Sequence, residues 1–139
     1  MIKFFNTLIK LRKLDVHNLQ KQKLELEKQH KRLTNDIKVL SKTLDEEIEK
    51  YLHNLDYSFM LENYRESMMT QIKTYKSYLI KIERDLESVI DKLFNNFNEL
   101  KKIELTSEKQ KYQIILNKNK QEIDMQDDIN LTRFNIDSL

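Results

Sequence analysis

Residues 53–58, His53-Asn54-Leu55-Asp56-Tyr57-Ser58, interrupt an otherwise continuous run of helix-forming sequence. Asn and Asp tolerate turn geometry, Ser58 or Asp56 can accept hydrogen bonds from the free N–H groups that open a helix, and Glu62 sits just inside the next first turn. Thr34-Asn35-Asp36 carries similar punctuation, but Leu33, Ile37 and Leu40 form a stripe straight through it. The chain reversal is therefore placed at 53–58.

Upstream of that break, steps of three and four residues give Ile2, Phe5, Ile9, Arg12, Val16, Leu19, Lys23, Leu26, His30, Leu33, Ile37, Leu40 and Leu44. Ten of these thirteen positions are apolar, and a seven-residue repeat held this long marks the seam of a left-handed coiled coil. Leu44, Ile48, Tyr51 and Leu55 then show spacings of four, three and four, a stutter that locally relaxes the supercoil. Downstream the pattern restarts as Leu61, Arg65, Met68, Ile72, Tyr75, Leu79, Ile82, Leu86, Val89, Leu93, Asn96, Leu100 and Ile103. The same register continues as Ser107, Gln110, Ile114, Asn117 and Gln121, so the stripe fades while the residues remain good helix formers.

Antiparallel pairing accounts for the place where it fades. If two helices fold back about residues 55 and 56, Ile2 lies opposite about residue 109, and no part of the first helix is left to cover the rest of the second. In the same register Arg65 falls beside Glu46 and Glu47. The expected fold is all-α, a long antiparallel two-helix coiled-coil hairpin with the second helix overhanging. Helix 1 spans about 2–52, the turn about 53–58 and helix 2 about 59–132, with a frayed C-terminus and one domain over 1–139. At about 1.5 Å per residue the helices are roughly 75 and 110 Å long.

Composition agrees with that reading. The 139 residues include no Gly, Pro, Cys or Trp, whereas tight hairpins and phosphate-binding loops rely on glycine. Alanine is also missing, and Ala, Gly and Pro share GC-rich codons, so the lack of glycine weighs less than its count suggests. With 35% charged and 39% hydrophobic residues and a mean hydropathy of −0.73, the chain is too polar for a thick core and too regularly patterned for disorder. No cysteine is present to form a disulfide or a thiolate metal site. No run of about 18 apolar residues occurs, and the N-terminus lacks the apolar stretch and cleavage site of a signal peptide, so a cytoplasmic location is expected.

A formal charge of +2 hides a polarised distribution. Residues 1–32 carry nine Lys or Arg against three acids, and residues 33–66 carry four against eight. Residues 101–120 contain six lysines and two glutamates. Folded antiparallel, the two basic stretches meet at the open end and the acidic one surrounds the turn. Such charges solvate the outer face of any coiled coil and set its register; alternatively, a basic end and an acidic tip steer two different partners. Nucleic-acid binding is disfavoured, because the lysines are interleaved with acids and no recognised nucleic-acid motif is present.

His17, His30 and His53 are too far apart in sequence to put two imidazoles on one helix face. Asp45, Glu46, Glu47 and Glu49 cluster, but general acid–base chemistry needs a concavity that a two-helix seam does not supply. No catalytic activity, cofactor, metal or small-molecule substrate is expected. Tyr51, Tyr57, Phe59, Tyr64, Tyr75 and Tyr78 make up half of the twelve aromatics and crowd the turn end. They either fill the seam where the stutter widens it or form a partner-binding patch.

Phe4 with Leu8-Ile9-Lys10-Leu11-Arg12-Lys13-Leu14, a long Gln-, Lys- and Glu-rich helix, Glu62-Asn63-Tyr64-Arg65 after the break and a second Lys-rich helix resemble the FliJ family of flagellar export proteins over nearly the whole chain. The chain departs from that pattern in lacking alanine and in placing Ser67, Met68 and Met69 where a bulky aromatic usually stands. The resemblance implies a non-enzymatic stalk of a flagellar type III protein export apparatus. Its implied partners are the hexameric export ATPase ring, the cytoplasmic domain of the membrane export gate, and export chaperones. It would reach the inner membrane's cytoplasmic face only through them. Candidate ring contacts are Leu8, Leu11, Arg12, Leu14, Ile114, Ile115 and Lys118; candidate gate contacts are Tyr51, Tyr64, Met68 and Tyr75. The alternatives are the equivalent stalk of a virulence injectisome, and a generic coiled coil that self-associates through residues 105–135 or pairs in parallel without a hairpin.

Overall fold

The structure, a computed structural model, describes residues 2–52 and 58–137. It is all-α: α1 spans Ile2–Tyr51 and α2 spans Ser58–Asp137. Of the expected turn at 53–58, residues 53–57, and with them the capping role of Asp56, lie outside the described residues, as does the side chain of Ser58, whose backbone opens α2. Helix α2 runs five residues beyond the expected end at 132, because Arg133-Phe134-Asn135-Ile136-Asp137 contains no residue that breaks a helix. Among the described residues no helix is long and apolar enough to cross a membrane.

Contacts divide the chain into two units, Val16–Asn95 and a second made of Met1–Asp15 with Asn96–Leu139. In the first, α1 and α2 run antiparallel. Val16 packs on Val89 and Leu93, with Leu19 and Leu26 against the same cluster, while His30 meets Glu83 and Leu44 shares a groove with Ile72. As residue numbers rise along α1, those of its partners on α2 fall. The His30–Glu83 pair lies within one helical turn of the register that a reversal at 55 and 56 demands.

Burial tracks the heptad positions closely. Along α1 in this unit, Val16 and Leu44 are buried, and Leu19, Lys23, Leu26, His30, Leu33, Ile37, Leu40, Ile48 and Tyr51 are half-buried. Along α2, Ile72, Val89 and Leu93 are buried and Leu61, Met68, Tyr75, Leu79, Ile82 and Leu86 half-buried. Only Arg65 breaks the series: it is exposed and forms no ion pair with Glu46 or Glu47. At the head of the second helix a long cationic side chain reaches solvent more cheaply than it stays against the seam.

Polar seam residues are satisfied locally. Lys23 turns its ammonium to Glu27 on the same helix at 3.4 Å, and His30 Nε2 lies 3.1 Å from Glu83 Oε1 across the seam. Both pairs are partly exposed, so each contributes about 0–1 kcal/mol and serves register more than stability. The seam therefore rests on a thin line of Leu, Ile and Val.

In the second unit Phe5, Leu8, Ile9 and Arg12 of α1 are half-buried, and on α2 Leu100 and Ser107 are buried while Asn96, Ile103 and Gln110 are half-buried. Arg12 Nη1 donates to Asn96 Oδ1 at 3.3 Å, joining two polar seam positions for which the heptad pattern offers no partner. Ser107, at 4% exposure, is the most buried side chain of the described residues; its small size suits it to a seam position. From Lys111 through Ile136 every residue is exposed, although the helix continues unbroken.

Candidate functional site

The uncovered part of α2 begins at Lys111, after the half-buried Gln110. Helices without a packed face are marginal in water, so a stretch this long with large exposed apolar side chains presents a surface for something else to cover. Those side chains fall on two sides at about 100° per residue. Tyr112, Leu116, Ile123 and Phe134 share one side, and Ile114, Met125, Ile129 and Ile136 share the other. All eight are between 47% and 70% exposed.

The expected ring contacts divide between buried and free positions. Leu8 is half-buried beside the seam, and the Arg12 guanidinium is engaged with Asn96. Leu11 and Leu14, with Phe4, face away from the seam at 55%, 54% and 64% exposure. The motif Leu-x-x-Leu-Arg-Lys-Leu thus supplies two residues to internal packing and two to an outer patch. Ile114, Ile115 and Lys118 lie in the same unit and are all exposed. Around them α1 brings Lys3, Lys10, Arg12 and Lys13 against Asp15, and residues 101–120 of α2 bring six lysines against Glu104 and Glu108, while 121–128 add four acids.

The expected gate contacts do not form one patch. Tyr51 and Tyr64 come together, lining a groove of about 300 Å³ with Glu47, Met60 and Leu61. Lys50 Nζ stands 5.2 Å from the centre of the Tyr51 ring, within cation–π range. Met68 is half-buried in the seam. Tyr75 belongs to a separate depression with Asp36, Val39 and Leu40, and its hydroxyl accepts from Gln71 Nε2 at 3.3 Å. Met60, 67% exposed, extends the Tyr51–Tyr64 surface; the heptad pattern does not pick it out because it lies one position off the seam.

The apolar residues after 110 escape the heptad pattern for a similar reason. Continuing the old register through Asn117 and Gln121 hides one stripe that starts in another phase at Tyr112 and one that leaves the old register after Ile114, which only a search for period rather than for continuation reveals. Among the described residues no three His, Asp or Glu side chains are grouped to hold a metal ion.

No family model, curated protein or solved structure matches the chain.

Proposed function

We propose that the protein is a non-enzymatic stalk and coupling component of a flagellar type III protein export apparatus, which binds the export ATPase ring and the export gate and assists export chaperones. The observation that carries this reading is the unbroken exposure of α2 from Lys111 to Ile136, in the same unit as the basic stretches at the start of α1 and at 101–120. A helix with apolar residues on two sides suits a site that surrounds it, such as the opening of a ring, better than a flat surface that covers one face. Leu11, Leu14, Ile114, Ile115 and Lys118 face that partner, and the lysines speed the encounter with an acidic ring lining. Leu8 and Arg12 act indirectly, by holding the first turns of α1 against α2.

The Tyr51–Tyr64 groove takes the second partner, the gate, with Met68 and Tyr75 supporting the seam behind it rather than touching. In this role the chain transmits position and force between partners and makes no bond itself.

Deletion of 110–139 tests the reading. The truncated chain is expected to stay helical, because the seam up to Leu100 and Ile103 is intact, and to lose co-purification with a hexameric ATPase from the native cell extract. Retention of the ATPase by the truncated chain would overturn the ring assignment.

A further inference from the structure

The first turns of α1 carry more apolar surface than their seam uses. Phe5, Leu8 and Ile9 are half-buried, yet Phe4, Leu11 and Leu14 stay 64%, 55% and 54% exposed. At about 100° per residue, an arc about 120° wide, opposite the seam side of Phe5, Ile9 and Arg12, holds Lys3, Phe4, Thr7, Lys10, Leu11 and Leu14. All six are exposed and none is an acid.

Two details suit this face to apolar surroundings. The Thr7 hydroxyl, placed between Phe4 and the leucines, donates to the Lys3 carbonyl at 2.9 Å, so covering the arc leaves that hydroxyl paired. The Phe4 ring meets the Phe5 ring edge to face, with centroids 5.7 Å apart, which ties the outer ring to one in the seam.

Charge selects the occupant. Every charged side chain of residues 2–14 is a cation, namely Lys3, Lys10, Arg12 and Lys13; Asp15, the first acid, lies just beyond the edge of the arc. Lys3 and Lys10 border the leucines, and Lys13 stands farther round the same side, while Arg12 is bonded to Asn96. Long lysine stems let the ammonium groups stay at the level of lipid phosphates while Phe4, Leu11 and Leu14 enter beneath them. A convex helix face of this kind is complementary to an anionic bilayer, which needs no matching groove.

We infer that α1 lies along an anionic bilayer surface through Phe4, Leu11 and Leu14, held there by Lys3, Lys10 and Lys13. The part of α2 that packs on these turns then rests on the water side, since it meets the opposite side of α1. The inference goes beyond the stalk reading, in which the membrane is reached only through partners. It also claims Leu11 and Leu14 from the ring, so bilayer and ring are alternative locations for this end of α1.

The chain has no tryptophan, so Phe4→Trp in the full chain is a unique reporter. With unilamellar vesicles of equal parts phosphatidylglycerol and phosphatidylcholine, its emission is expected to shift to the blue and to be quenched by brominated acyl chains. Leu116→Trp, on the bare part of α2, is expected to keep the emission of the free chain. Co-sedimentation supplies the second arm. The unmodified chain should bind pure phosphatidylcholine vesicles at least tenfold more weakly than the anionic ones. Leu11→Ser with Leu14→Ser, and separately Lys3→Glu with Lys10→Glu, should each weaken binding to the anionic vesicles at least tenfold, whereas Leu116→Ser should change it less than twofold. All five positions are exposed, and an unchanged circular dichroism spectrum confirms that the fold survives. A chain that does not bind the anionic vesicles would hand this face to an acidic protein surface and overturn the inference. Equal binding to both vesicle types, or binding indifferent to the Leu11 and Leu14 changes, would overturn it too. None of these measurements involves an ATPase, so failure here is distinguishable from failure of the stalk reading.

Discussion

Leu93→Ala removes three carbon groups from a side chain that is 8% exposed and packed on Val16 and Val89. At about 0.8 kcal/mol for each buried methylene, the transfer term is about 2.4 kcal/mol. Truncations in thick cores lose more, about 2–5 kcal/mol, because a cavity remains. A two-helix seam is open along both flanks, so neighbouring side chains and water fill the space and the added term is small. The expected loss is therefore about 2.5 kcal/mol. For a cooperative unit the size of Val16–Asn95 that corresponds to a fall in Tm of about 10–20 °C. Leu116→Ala removes the same three groups from a residue that is 48% exposed and beyond the seam, and is expected to cost under about 0.5 kcal/mol. The comparison is made by thermal melts recorded at 222 nm, at low micromolar protein so that association between chains does not contribute. Equal shifts for Leu93→Ala and Leu116→Ala would refute the division between covered and uncovered helix.

Replacing both Arg12 and Asn96 by Leu exchanges a partly buried polar contact for an apolar one and is expected to raise stability by about 1 kcal/mol in urea denaturation. Asn96→Leu alone leaves the Arg12 guanidinium without its acceptor and should be destabilising; a stabilising single variant would count against the 3.3 Å contact. His30→Ala should cost less than about 1 kcal/mol, since the contact with Glu83 is half open to solvent, and a loss above about 2 kcal/mol would mean the pair is more buried than described. Tyr51→Ala with Tyr64→Ala is expected to weaken capture of the gate's cytoplasmic domain at least tenfold while ring binding is kept; equal capture would remove the groove from the proposed gate surface.

Most of the seam was legible because a heptad repeat is a one-dimensional statement about which residues face a partner. Val16, Leu44, Ile72, Val89 and Leu93 needed only correct phase. The point where cover ends, near Gln110, was legible for an equally simple reason, since the length of the shorter helix fixes it. Side-chain choices between equivalent routes were not legible. Arg65 could have bent toward Glu46 or Glu47, yet takes solvent, and Arg12 could have pointed outward with Leu11, yet bonds to Asn96. Those outcomes depend on small differences in desolvation that spacing does not encode. The tyrosines show the same boundary: sequence proximity suggested one patch, whereas Tyr51 and Tyr64 share a groove and Tyr75 faces another. Tyr64 and Tyr75 lie about three turns apart along α2, too far to line one groove.

Amide hydrogen exchange resolved along the full chain, at low micromolar protein, probes cover residue by residue. The N–H groups of Phe5–Tyr51 and of Leu61–Gln110 should be protected at least tenfold more strongly than those of Lys111–Ile136, with the change falling within two turns of Gln110. Uniform protection from Leu61 through Ile136 under the same conditions would contradict a helix whose end is left bare.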